Sequence, residues 1–172
     1  MKASAQGSLQ TPSVTYTESM RDYLIACALV GESVPWDPSV DASDEELRHY
    51  IEKLSRGIWS ESDEADSTST FHYWYIIDSH IRGRCTLRTK LLGSFGETHG
   101  NIGYDVHPDF REMGIGTAML QQLLNVAREK HLANVLITCD PTNIASARII
   151  EKCGGVMRDT FEGRYLRFDV SL

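Results

Sequence analysis

From residue 18 to 30 the segment ESMRDYLIACALV spaces its apolar positions as a helix does, and a second helical pattern covers 44–56. There Ser43 and Glu46 form a capping box ahead of Leu47, Tyr50, Ile51 and Leu54. The period then shortens. FHYWYIID (71–78) is an aromatic and β-branched run that ends at Asp78-Ser79 and resumes past Gly83 as RCTLRTKLL, which predicts a hairpin. A third strand, NIGYDV (101–106), follows Gly100. From Gly116, residues Met119, Leu120, Leu123, Leu124, Ala127 and His131 recur at three- and four-residue steps, with Arg128 and Lys130 in the last turn. That is an amphipathic helix of about four turns.

Immediately after it VLITC (135–139) is a continuous apolar run, as in a strand buried on both faces. Strand, helix and strand make a βαβ unit with parallel strands. Asp140 to Asn143 supply helix-start residues, Ala145 to Cys153 continue as helix, and Gly154-Gly155 stops it. In GRYLRFDV, Leu166, Phe168 and Val170 alternate with Tyr165, Arg167 and Asp169, predicting a final half-buried strand. The expected class is α/β with a mixed sheet. Residues 1–12 read as a flexible lead-in, and SESDEADSTST (60–70) as an acidic loop.

Composition narrows the function. At 172 residues the chain is read as a single domain (1–172) able to bury roughly 70% of the surface its unfolded form exposes, without a metal or disulfide staple. No apolar run approaches the roughly 18 residues a membrane span needs, and MKASAQGSLQTPS lacks a signal-peptide core, so a cytoplasmic protein without membrane association is expected. Cys27, Cys85, Cys139 and Cys153 form no C-x-x-C pair and have no histidine at metal spacing, so they read as reduced thiols and no metal is expected. A net charge of −7 argues against a nucleic-acid partner and favours a cationic substrate.

The chemistry centres on VHPDFREMGIGTAM (106–119), where two close glycines open a helix. They let backbone N–H groups approach an anion at the positive end of the dipole. A P-loop requires Lys and Ser or Thr directly after its last glycine, whereas Thr117-Ala118 follow Gly116. A dinucleotide fingerprint requires Gly or Ala where Met119 stands, directly behind the strand, and here residues 107–111 intervene. The remaining design is Arg/Gln-x-x-Gly-x-Gly/Ala after a strand, matched by Arg111, Gly114 and Gly116. With TCDPTNIASARIIEKCGGV (138–156) downstream, the chain resembles the GNAT superfamily of N-acetyltransferases, and within it a bacterial subgroup of predicted acetyltransferases.

The resemblance implies a GNAT-like fold: a mixed, mostly antiparallel central sheet flanked by helices, with parallel strands 101–106 and 135–139 splayed at the cofactor site. It implies acetyl-CoA as co-substrate, with the pyrophosphate at Arg111, Glu112, Met113, Gly114, Ile115, Gly116 and Thr117, and the pantetheine arm at Asn143 and Ser146. The N–H near Val106 is the implied oxyanion donor. The acceptor is the primary amine of a small molecule or peptide, in a pocket built from the two N-terminal helices and a 91–100 loop; a homodimer stays open. The tyrosine that many members carry seven residues after the helix-opening Asn is Ile150 here. Tyr104, then Tyr165, or water are the alternatives for the proton donor, and Glu97 and His99, with Asp105 as runner-up, for the base. Cys139, ending a buried strand, is discounted as a nucleophile. A non-catalytic acyl-CoA binder and a nucleotide-binding module are the competing classes.

Overall fold

The computed structural model describes residues 7–32, 37–57 and 69–172. Among the described residues seven strands form one sheet in the order β1-β2-β3-β4-β5-β7-β6. They are β1 Ser8–Gln10, β2 Thr70–Ile77, β3 His80–Arg88, β4 Ile102–Val106, β5 Asn134–Cys139, β6 Val156–Phe161 and β7 Tyr165–Ser171. The helices are α1 Thr17–Leu29, α2 Asp44–Ser55, α3 Gly93–His99, α4 Ile115–Glu129 and α5 Ile144–Lys152. Every strand pairing is antiparallel except β4 with β5.

Each face of the sheet has its own core. On one, Met119, Leu120, Leu123, Leu124 and Ala127 of α4 are buried against Cys85, Leu87, Ile102, Val135, Ile137, Phe168 and Val170. These are the positions the three-and-four spacing marks for the inward stripe. On the other, Met20, Tyr23, Leu24 and Cys27 of α1 and Leu47, Ile51 and Leu54 of α2 pack on Trp74, Ile76 and Ile81. The capping box forms: Ser43 Oγ accepts from the Glu46 N–H at 3.2 Å, and the Glu46 carboxylate accepts from the Ser43 N–H at 2.7 Å. No helix among the described residues is long and apolar enough to cross a membrane.

The join between β4 and β5 positions the site. They pair at one position, Ile102 with Ile137. Below it the buried Asn101 clamps three strands: its Nδ2 donates to Arg88 O at 2.8 Å, its Oδ1 accepts from Leu136 N at 2.7 Å, and its N–H donates to Leu136 O at 2.7 Å. Gly100 makes this approach possible, since at φ +62° a Cβ there would lie 2.4 Å from Leu136 O. Beyond Ile102 the two strands diverge, leaving Val106 and Cys139 at the open end.

The structure corrects the boundaries in four places. Residues 8–10 of the expected lead-in are strand β1, paired with β2 through Ser8 to Ile76 and Gln10 to Trp74; three residues are too few to show a period. β3 starts at His80, because Asp78 and Ser79, at φ +47° and +64°, make a two-residue turn. The 91–100 loop contains α3, which has no apolar stripe to announce it. The hydrophobic pattern does not mark strand β6, whose first three residues are exposed and show no inward alternation. Residues 58–68, most of the expected acidic loop, lie outside the described residues.

Candidate active site

The loop entering α4 is built by local chemistry. His107 is buried; its N–H donates to Arg82 O at 3.0 Å and its ring stacks edge-on with Tyr23 and Phe110. A 3-10 turn over Pro108–Phe110 carries the chain to Arg111. Glu112 and Gly114 then take φ +60° and +83°. Gly114 is the N-cap of α4 without a side-chain cap, so the N–H groups of the first turn are left to an external acceptor. Open space surrounds the place of a Gly114 Cβ. Gly116 has a different reason: a Cβ there would meet Ile149 Cδ1 at 2.8 Å and Val106 Cγ2 at 3.5 Å. Gly116 therefore lets α5 and β4 pack against α4, and its missing side chain faces protein.

Arg111 ties the loop to the end of β4 and to the segment after α1. Its Nε donates to Val106 O at 3.2 Å, and its Nη1 to Glu32 Oε1 at 2.8 Å, with a second contact from Nη2 to Glu32 Oε2. The guanidinium holds the Glu32 carboxyl below its ordinary range. Both side chains are partly exposed, so water screens the pair. Glu32 already meets the charge of Arg111, and an anion at the α4 terminus meets chiefly backbone N–H groups.

On the α4/α5 side of the divergence the structure brings Tyr104, Ser146 and Asn143 together. The Tyr104 hydroxyl lies 2.9 Å from Ser146 Oγ and 3.3 Å from Ser146 O. Burial pushes its pKa up to about 12. Asn143 caps α5 by accepting from the Ser146 N–H at 3.0 Å. Asn143→Ala should therefore cost about 1 kcal/mol of stability, read as a lowered denaturant midpoint at unchanged slope; a loss of acetyl-CoA affinity beyond that identifies a contact to the cofactor. Cys139 is buried here and its thiol pKa is raised by burial, which keeps it a poor nucleophile. Ile150 is wholly buried in the core.

Val106 stands at the mouth of the divergence. The His107 N–H bonds to Arg82 O in the β3 direction. By the alternation of an antiparallel ladder the Val106 N–H and C=O turn the other way, into the gap beside β5. The Arg111 Nε contact to Val106 O agrees with that direction.

The remaining sequence-predicted residues lie elsewhere. Glu97, on α3, is ion-paired with Arg167 of β7, which also holds Asp159. His99 Nδ1 is 2.7 Å from Thr98 Oγ1, and Thr98 O accepts from Thr138 Oγ1 at 2.8 Å, so α3 is fastened to β5. No described contact joins Glu97 or His99 to Tyr104. Tyr165 pairs with Phe161 at the β6–β7 turn. Asp105 faces the α1/α2 side, bound to Arg84. Glu32, Asp37, Arg84 and Tyr23 carry no motif, and sequence reasoning passed over them.

Comparison with known proteins places this arrangement. The family model described as an acetyltransferase (GNAT) domain matches residues 17–156. An uncharacterized N-acetyltransferase of Bacillus subtilis, YnaD, is 33% identical over 61 residues; the match spans 35% of this chain and 36% of that protein. Among solved structures, the microcin C7 self-immunity acetyltransferase MccE, in complex with acetyl-CoA and AMP, superposes with a TM-score of 0.69 at 16% identity. It covers 97% of this chain and 93% of its own. The ribosomal L7/L12 α-N-protein acetyltransferase RimL reaches a TM-score of 0.69 at 13% identity, over 97% of this chain and 91% of that one. At such identities the two likenesses show the fold. With the family model spanning most of the sequence and the diverging parallel pair in place, the chain belongs to the GNAT acetyltransferase family.

Proposed function

We propose that this protein is an acetyl-CoA-dependent N-acetyltransferase that acetylates a primary amine by direct attack, as a single catalytic domain in the cytoplasm. One observation carries the reading: the uncapped N-terminus of α4, entered through Gly114 at φ +83°, opens where β4 and β5 part. Family membership supports it, as do MccE, solved with acetyl-CoA, and RimL, named for a protein α-amine.

When bound, acetyl-CoA supplies the activated acetyl group. The chain's residues do the rest. The first-turn N–H groups of α4, over Ile115, Gly116 and Thr117, receive the pyrophosphate, with the dipole adding about 0.3–1 kcal/mol. Arg111, Glu112 and Met113 shape the approach. Asn143 and Ser146 line the pantetheine path at the start of α5, and the Val106 N–H, turned into the gap, donates to the developing oxyanion. Tyr104, protonated throughout the neutral range, is the proton donor to the departing sulfur. Glu97 and His99 of α3, which Thr98 fastens to β5, are the candidate bases for the amine's proton, acting through water, with Glu97 held by Arg167.

Calorimetric titration with acetyl-CoA, followed by free-thiol detection across amines, aminoglycosides and N-terminal peptides, tests the reading. Saturable binding with amine-dependent thiol release is expected; no binding sinks it. A second reading, acyl-CoA binding without catalysis, draws on Ile150, which is wholly buried and has no proton to give. Binding without thiol release from any amine would favour it.

A further inference from the structure

Glu32 belongs to no motif, yet the chain builds a fixed support for it. The α1 helix runs out at Leu29, and Gly31 turns the backbone at φ +75°. The Gly31 N–H then donates to Ala28 O at 3.0 Å and the Glu32 N–H to Cys27 O at 2.9 Å, the pairing of a Schellman end. Glu32 is therefore the residue that closes α1, and its carboxylate is presented from a hydrogen-bonded backbone.

That carboxylate takes Arg111. Nη1 donates to Oε1 at 2.8 Å and Nη2 contacts Oε2, a two-pronged grip, while Nε donates to Val106 O at 3.2 Å. Each nitrogen of the guanidinium thus has a partner in the protein, and the group joins the end of α1 to the end of β4. It also covers the Val106 carbonyl, which turns into the gap. The uncapped start of α4 lies three residues further on, at Gly114. The cation nearest to it in the loop is neutralised by the protein's own carboxylate.

We propose that Glu32 is a positioning residue of the cofactor site: it holds Arg111 away from the pyrophosphate, and acetyl-CoA binds by drawing Arg111 off Glu32. The inference rests on the acetyltransferase reading. The grip is breakable, because the Arg111 and Glu32 side chains are 41% and 50% exposed and water screens the pair. A pyrophosphate at the α4 terminus offers several anionic oxygens in place of one carboxylate, in a field that the helix dipole already favours. The stronger anion takes the guanidinium, and the free energy of opening the pair is subtracted from cofactor affinity. Opening also uncovers the Val106 carbonyl in the gap and leaves the Glu32 carboxylate at the end of α1 without its cation. Cofactor binding is in this way coupled to the charge that α1 presents beside the gap.

The test is calorimetric titration with acetyl-CoA of wild type, Glu32→Gln, Arg111→Gln and the double variant. Glu32→Gln should bind about two- to fivefold more tightly than wild type, the range that an exposed ion pair can oppose. Arg111→Gln should bind more weakly than wild type, and adding Glu32→Gln to it should change nothing, because the hold acts through Arg111. A carboxylate that merely repelled the phosphates would, on removal, tighten binding in both backgrounds, so equal gains overturn the proposal. Unchanged or weaker binding by Glu32→Gln overturns it too. A direct readout is the Arg111 Nε–H resonance in nitrogen-labelled protein, assigned by its loss in Arg111→Gln. It should move when acetyl-CoA is added; a resonance that stays in place at saturation means that Arg111 keeps its grip, and the proposal falls. Binding to none of the four proteins fails the acetyltransferase reading and the proposal with it, whereas binding to wild type separates the two.

Discussion

Acetyl-CoA should bind the Gly114→Asp protein at least about 100-fold more weakly than wild type, a loss of about 2.8 kcal/mol at about 1.4 kcal/mol per decade. Gly114 is the N-cap of α4, and a Cβ there meets nothing within 4 Å, so the added side chain fits without a clash. It places a carboxylate before the N–H groups proposed to receive the pyrophosphate. The new charge competes for those donors and repels the ligand, and both effects act in the same direction. The fold should lose less: φ +83° strains an L-residue by about 1–2 kcal/mol, and aspartate tolerates this region better than most. Calorimetry alongside thermal melting separates the two effects. A Gly114→Asp protein that melts normally and binds acetyl-CoA as wild type does would remove the helix terminus from the cofactor site. The same comparison at Gly116 is less informative, because a side chain there collides with Ile149 and tests packing.

Tyr104→Phe should lower kcat by about 10²–10⁴-fold at saturating acetyl-CoA, the range of general acid catalysis. The pH dependence follows from the burial of the phenol. An acid works only while protonated, and burial raises Tyr104 from 10.0 to about 12, so the wild-type rate should hold through the ordinary phenol range and fall only as pH approaches about 12. A folded pKa above the unfolded one stabilises the protein fully below the unfolded value, and that stability is lost as pH rises through the folded value. Structural integrity must therefore be followed by circular dichroism at the alkaline end. The hydroxyl contacts Ser146 at 2.9 Å, so Asn143 and the α5 cap should be undisturbed by its removal if binding is unchanged. A Tyr104→Phe enzyme with wild-type kcat across the profile would assign the proton to solvent and leave Tyr104 as packing between β4 and α5.

Much of this fold is legible residue by residue. The α4 stripe, the Asp78-Ser79 turn, the Ser43–Glu46 box and the glycine pair at the start of α4 are each set by neighbours within about four residues, because periodicity, capping and turn conformation are local. Strand β6 escaped the same logic, since a strand whose residues face solvent is held by its ladder with β7 and leaves no hydrophobic alternation. Gly116 was legible as a special position, and only packing shows that Ile149 is what it makes room for.

The order strand, loop, helix and the spacing of Arg111, Gly114 and Gly116 are written in the sequence, and with them the family. What the charges do is set only by the folded arrangement. Glu32 reaches Arg111 across 79 positions, Asp37 reaches Arg84 across 47, and Asp105 reaches Arg84 across 21, all brought together by sheet order and by α1 and α2 lying over β2 and β3. No local rule anticipates such contacts, because the energy of an ion pair depends on distance and burial, and chain separation fixes neither until the sheet has formed.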